Sequence, residues 1–294
     1  LVVAYFFHNF FVFDHLVSYI LFFSLLAYIH SMSSSEVSQK QPIAIAETKV
    51  TRVALPAIAI LLLLSLYFVN IKPIMTNTFL IEALKSLQTP GEMVIASQYF
   101  KKAHGASTLG RSEVVEHIAS NSITILTSDI SMEEKNNFFS FAKDAVLGEV
   151  EHSETDARYQ LVTGSFLSTT GLLDEALVHL ERAKELMPDK QQIYFEVGAV
   201  YINKNEPLKA LEAFKKAYEL APDYLEAKVI YLIGAIYAGD RVVENEIISK
   251  LTEAQVVFDD RVINAYNANG RIDKVVNLLE DRIRLDPSNT EKYR

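Results

Sequence analysis

The chain has 294 residues, a formal net charge of −9, no cysteine, and hydrophobic side chains at half of its positions. The absence of cysteine excludes disulfides, zinc knuckles and thiol catalysis, and the acidic balance argues against nucleic acid as a partner. So high an apolar fraction is unusual for a wholly water-soluble helical protein, and it directs attention to membrane-spanning segments.

The N-terminal stretch LVVAYFFHNFFVFDHLVSYILFFSLLAYIH (1–30) is apolar except around Asp14, where His8, Asn9 and His15 cluster. A charge at the bilayer centre costs at least ~2.5–3.5 kcal/mol, so the run is expected to break there. Residues 1–13 then form the end of a truncated span and residues 15–34 a second one, with the polar cluster at the membrane surface between them. Residues 35–52 form a loop, and residues 53–71 (VALPAIAILLLLSLYFVNI) form an uncharged helix. At ~1.5 Å per residue that helix extends roughly 28 Å, close to the thickness of a hydrocarbon core. Pro56 lies in its first turn, where a missing amide hydrogen is tolerated. No basic segment precedes the first apolar run, which argues against a cleavable signal peptide. Lys40, Lys49 and Arg52 fall in the loop, whereas no Lys or Arg lies between Asn9 and His15. The positive-inside bias therefore places the 35–52 loop in the cytoplasm and sends the remainder of the chain to the exterior. The chain opens on Leu1 rather than methionine and reads as the C-terminal part of something longer.

Residues 72–154 read as a helical connector that holds one hairpin like those of the segments that follow it. Within it, IASQYFKKAHGAST (95–108) spaces Ala96, Phe100 and Ala103 as a packed helix would, and Ser131 with Glu134 has the spacing of a capping box. Residues 109–154 are helical by period but carry no repeat signature. Two segments that follow share one punctuation: ARYQLVTGSFLSTTGLLDEALVHLERAKELMP (157–188) and QQIYFEVGAVYINKNEPLKALEAFKKAYELAP (191–222). At an offset of 34, Gly164 falls on Gly198, Ala176 on Ala210, Leu180 on Phe214, Ala183 on Ala217 and Pro188 on Pro222. Mid-helix glycine costs roughly 1 kcal/mol against alanine, so both glycines imply a close approach of another helix. The alanines seven apart supply the matching small face, Tyr194, Tyr201 and Phe214 the core packing, and the prolines the breaks between hairpins. Residues 225–255 keep a helix, a turn at Gly239-Asp240 and a second helix, about three residues short of the period. Residues 256–287 restore it, with Tyr266 and Pro287 in the places of Tyr201 and Pro222, and SNTEKYR reads as the start of one more helix.

These segments resemble the tetratricopeptide repeat (TPR) in period and small-residue spacing. The resemblance implies an all-α protein in which transmembrane helices precede an α-solenoid of TPR hairpins occupying residues 155–294. It also implies binding of another chain rather than catalysis, with the first helix of each hairpin lining the concave surface. The groove for a protein or peptide partner would then comprise Arg158, Leu161, Ser165, Gln192, Phe195, Ala199 and Ile202. TPR modules that clamp a peptide carboxylate use Lys and Asn at positions held here by Leu161, Val162, Phe195 and Glu196, so that clamp is missing. An extended or helical segment of another envelope protein is the expected occupant, with the array's own neighbouring membrane domain as the alternative.

The string AYFFHNFFVFDHLVSYILFFSLLAYI, a short loop, one more span and a TPR-bearing tail resemble the C-terminal part of bacterial O-antigen ligase/polymerase-like membrane proteins. That resemblance implies a parent that transfers lipid-linked glycans through an exterior loop bearing a His-Asn motif and a basic residue. His8-Asn9 matches the dipeptide, but no arginine lies near it, and the catalytic loop is expected upstream of Leu1. No catalytic residue is therefore assigned. The resulting expectation is a tail that serves as an assembly platform in envelope glycan biosynthesis. It would be integral to the bacterial cytoplasmic membrane, with its array on the exterior or periplasmic face. The alternative is a membrane-anchored TPR scaffold with no enzymatic activity. The remaining sequence has no phosphate-binding glycine loop, HExxH or G-x-S-x-G. None of His104, His117, His152 and His179 has a second histidine three or four residues on, so neither a metal nor a cofactor is expected.

Overall fold

The computed structural model describes residues 16–34, 49–107 and 110–287, so the expected truncated span at 1–13 and most of the 35–52 loop lie outside the described residues. The chain divides into two compact units, Leu1–Leu64 and Ser65–Arg294. Every regular element among the described residues is a helix.

Helix α1 covers Leu16–Ser34, within the segment 15–34 that the sequence reading took as a span. Helix α2 (Lys49–Leu66) passes through one π-helical turn, Tyr67–Ile71, into α3 (Lys72–Gln88). Residues Val53–Gln88 thus make one helix of 36 residues, the one described helix long and apolar enough to cross a membrane. The sequence reading ended this segment at residue 71, but the helix has no break there. In the π turn the Lys72 N–H donates to the Tyr67 carbonyl, five residues back. Pro73 explains it: the proline has no N–H for the Val69 carbonyl, and its ring presses on that turn, so the ladder shifts by one residue. Leu61, Leu62, Leu63 and Val69 are exposed, whereas from Thr76 onward one stripe (Thr76, Leu80, Ala83) turns inward. At that point the helix changes from apolar on all sides to amphipathic.

From α3 the chain folds into stacked antiparallel hairpins. Helix α3 pairs with α4 (Met93–Ala106), and α5 (Arg111–Thr127) with α6 (Met132–His152). Then come α7 (Ala157–Thr169) with α8 (Leu173–Leu186) and α9 (Gln191–Asn203) with α10 (Pro207–Leu220). Helix α11 (Leu225–Ala238) pairs with the eight-residue α12 (Arg241–Ile248); a short α13 (Glu253–Val257) leads to the last pair, α14 (Asp260–Ala268) and α15 (Ile272–Leu285). Residues 72–154, expected to hold one hairpin and an uninterpreted helical stretch, therefore form two hairpins. The second begins its α6 with the capping box expected at Ser131 and Glu134.

Four successive hairpins close with the same turn. The N–H groups of Leu172, Glu206, Asp240 and Arg271 reach back to the carbonyls of Leu167, Tyr201, Ala235 and Tyr266 at 2.8, 2.8, 2.9 and 2.9 Å. Each turn passes through a left-handed residue: Gly171, Asn205, Gly239 and Gly270. This is the Schellman arrangement, in which the residue after the helix must adopt positive φ. The intervals from 171 to 205 and 205 to 239 equal the repeat, and that from 239 to 270 is three residues shorter. The deficit expected in 225–255 therefore falls across α12, α13 and α14.

The close approaches implied by the glycines are present. A Cβ on Gly164 would lie 2.5 Å from Leu180 Cγ, and one on Gly198 would overlap the Cδ1–Cε1 edge of the Phe214 ring. The other side of that ring meets Gly234 of α11, where a Cβ would lie 2.6 Å from Phe214 Cδ2. Ala176, Ala183, Ala210 and Ala217 are all fully buried. Two apolar clusters result. One runs from Leu80 to Ala213 and the other from Ala210 to Tyr266, with Tyr201 packed against both. In the second cluster Glu244 is 2% exposed; its carboxylate accepts from Tyr266 Oη (2.9 Å) and pairs with Arg271 (2.6 Å) and Arg241 (3.4 Å).

Gly198→Ala forces a methyl into the Phe214 ring and is expected to cost ~1–3 kcal/mol by overpacking. Gly148→Ala, in open space in α6, is expected to gain up to ~1 kcal/mol from helix propensity. Denaturation midpoints followed by helical circular dichroism separate the two; equal midpoints would contradict the close approach.

Candidate protein-binding groove

First helices of three consecutive hairpins, α5, α7 and α9, lie side by side and line one groove of about 520 Å³. Helix α5 contributes Glu116, His117, Ser120 and Ile123; α7 contributes Arg158, Leu161, Val162, Ser165 and Thr169; α9 contributes Gln192 and Glu196. The spacing on α7 (158, 161, 162, 165, 169) is that of one helical face. Asp156 fixes the start of α7 by accepting from the Arg158 N–H at 2.8 Å. Leu161 and Phe166 are buried and make the floor.

Two charged features stand in the groove. The Arg158 guanidinium reaches across to Glu116 of α5 at 2.5 Å. The Glu196 carboxyl is pushed above its ordinary value by burial, and the Ser165 hydroxyl beside it offsets this only in part. Two other concavities are less suggestive. The one between α8 and α10, about 630 Å³, mixes Tyr194 and Tyr201 with lysines and glutamates. Its Lys184 pairs with Glu181, and its Lys215 lies 3.9 Å from Glu219. The third surrounds His179, whose Nδ1 lies 2.8 Å from Gln160 Oε1 and whose imidazole is held below its ordinary value by burial. Among the described residues no three His, Asp or Glu side chains converge as a metal site would require.

Of the residues expected to form the groove, Arg158, Leu161, Ser165 and Gln192 are brought together in it. Phe195, Ala199 and Ile202 are on α9 outside its lining, and Ile202 packs against the C-terminal apolar cluster. The whole α5 contribution was missed. First helices α5 and α7 begin at residues 111 and 157, farther apart than the 34-residue period, because the intervening α6 runs to 21 residues. A search for hairpins of variable length, anchored on the Ser131 capping box, would have found it.

The sequence matches no protein-family model, and no curated protein matches it. Similar solved structures include Pseudomonas aeruginosa pilF (16% identity, covering 76% of this chain and 97% of that one, TM-score 0.45). A tetratricopeptide repeat protein from Parabacteroides merdae gives 13% identity, 71% and 79% coverage and a TM-score of 0.49. MamA protein gives 18%, 67% and 94% with a TM-score of 0.39. At such scores the fold assignment rests on the hairpins themselves: on their shared turn, the 34-residue interval and the glycine–ring contacts, residues 157–285 form a TPR-like array.

Burial of Glu196 has a thermodynamic signature. Its folded-state pKa is raised above the unfolded value of 4.5, so stability is full below pH 4.5 and is lost as pH rises through the folded value. Glu196→Gln, which retains an acceptor for Ser165, is expected to be more stable than the native chain at pH 7–8 and equal to it near pH 4. Thermal unfolding across that range checks this; a destabilised variant at neutral pH would contradict it.

Proposed function

We propose that the protein is a non-catalytic scaffold: a TPR-like array that binds a segment of another protein along the α5–α7–α9 groove and is carried on a membrane by the apolar helix beginning at Val53. The observation that supports it best is the groove itself, open, mixed in polarity and built by three successive first helices. Repeat arrays present such surfaces to extended or helical segments. The exposed apolar side chains between Val53 and Ile71 support the membrane part, because an apolar surface of that length is unfavourable in water and matches a bilayer. We further propose the cytoplasmic membrane, with the array on its outer face, from the Lys40, Lys49 and Arg52 count. A role beside a glycan-transferring membrane domain rests on the resemblance within residues 1–71 alone.

Two experiments test this reading. A photocrosslinking residue at Gln192 or Ser120 is expected to form adducts with one discrete partner protein in cells, and the same residue at Lys216 is not; equal adducts from both sides would remove the groove. The chain is expected to resist carbonate extraction from membranes. A membrane-impermeant amine reagent, applied with the outer envelope opened, is expected to modify Lys209, Lys216 and Lys250 while sparing Lys40 and Lys49. The reverse labelling would place the array in the cytoplasm.

A further inference from the structure

Two carboxylates of the array are buried, and both have cations. Glu244 has Arg271 and Arg241, and Glu149 has Arg111 at 3.9 Å beside the Ser112 hydroxyl. Glu196, half-buried in the groove, has none: among the described residues no lysine or arginine lies within ion-pair distance of it, and the side chain beside it is the neutral hydroxyl of Ser165. The arginine that shares its groove, Arg158, is engaged by Glu116. A partly desolvated carboxylate that faces an open groove without a cation is where an incoming positive charge gains most. The attraction is poorly screened there, and part of the desolvation cost is already met by folding. The same groove also offers aliphatic side chains: Leu161 and Val162 on α7 and Ile123 on α5. That combination fits the side chains of a peptide better than a free amine.

We propose that the groove selects its partner through a basic residue: a Lys or Arg side chain of an extended or helical protein segment pairs with Glu196, and aliphatic side chains of the same segment rest on Leu161, Val162 and Ile123. This rests on the groove being the binding surface.

The test uses the full-length chain in detergent micelles and a displayed library of random dodecapeptides. Three variants are compared with the native chain after circular dichroism has established native helicity. Glu196→Gln removes the charge and keeps the shape. Gln192→Lys places a cation one turn before Glu196 on the same helix, within pairing distance. Ile123→Arg obstructs the aliphatic wall at a side chain that is already exposed. Selected peptides are expected to share a Lys or Arg. Their affinity is expected to fall at least roughly tenfold on Glu196→Gln, as for loss of a charge-assisted bond, and to fall on Gln192→Lys by competition. Replacing the shared basic residue by norleucine is expected to weaken binding to the native chain but not to Glu196→Gln. Peptides that are lost with Ile123→Arg yet lack a common basic residue, or ignore Glu196→Gln, would overturn the cation while leaving the groove. A library with no peptide sensitive to Ile123→Arg would overturn both.

Discussion

The ring of Phe214 sits between two glycines on two different helices, Gly198 of α9 and Gly234 of α11, and much of the C-terminal array depends on that contact. Neither glycine can carry a side chain without displacing the ring, so α9, α10 and α11 are held at a fixed separation. Gly164 and Leu180 do the same for α7 and α8, with less bulk. Because protein interiors are close-packed, a spacing set at one such point is transmitted along the helices. The consequence is positional: with each second helix drawn tightly against its first, the first helices become neighbours of one another, and α5, α7 and α9 share a surface.

Toward the C-terminus the small-residue device gives way to a different one. Helices α12 and α14 are short, and the hairpins are held by Glu244, Tyr266, Arg241 and Arg271 rather than by alanine faces. A buried ion pair is a weak source of net stability, because desolvation offsets the attraction. It is nevertheless demanding in geometry: Tyr266 and Arg271 must approach the carboxylate together. The shortened interval between Gly239 and Gly270 is accommodated at this network, where register is set by hydrogen bonds instead of by ridges and gaps. Arg282, also buried, donates from Nε to the Val257 carbonyl, which ties the short α13 to α15.

The array begins without an interruption from the apolar helix. One continuous run of backbone hydrogen bonds, shifted once at Tyr67–Ile71, connects residues exposed on every side to residues with a buried stripe. The π turn marks the change and owes its place to Pro73.

The sequence by itself determined the helical class, the 34-residue hairpins from 157 to 222, the uncharged segment at 53–71 and the Ser131 cap, because these depend on local chemistry: periodicity, turn residues and the cost of glycine. Four of the seven residues it named for a groove, Arg158, Leu161, Ser165 and Gln192, share one concavity. Tertiary structure alone decided the rest. The long α6 hid the α5 hairpin from any fixed-period comparison, and with it Glu116 and Ile123. Gly234 is not at the repeat position of Gly198, so its service to Phe214 becomes visible only when α11 packs against α10. Glu196 reads in sequence as an unremarkable acid on a helix. Its burial beside Ser165, with Arg158 turned to Glu116, depends on which helix lies next to which, and local sequence does not encode that neighbourhood.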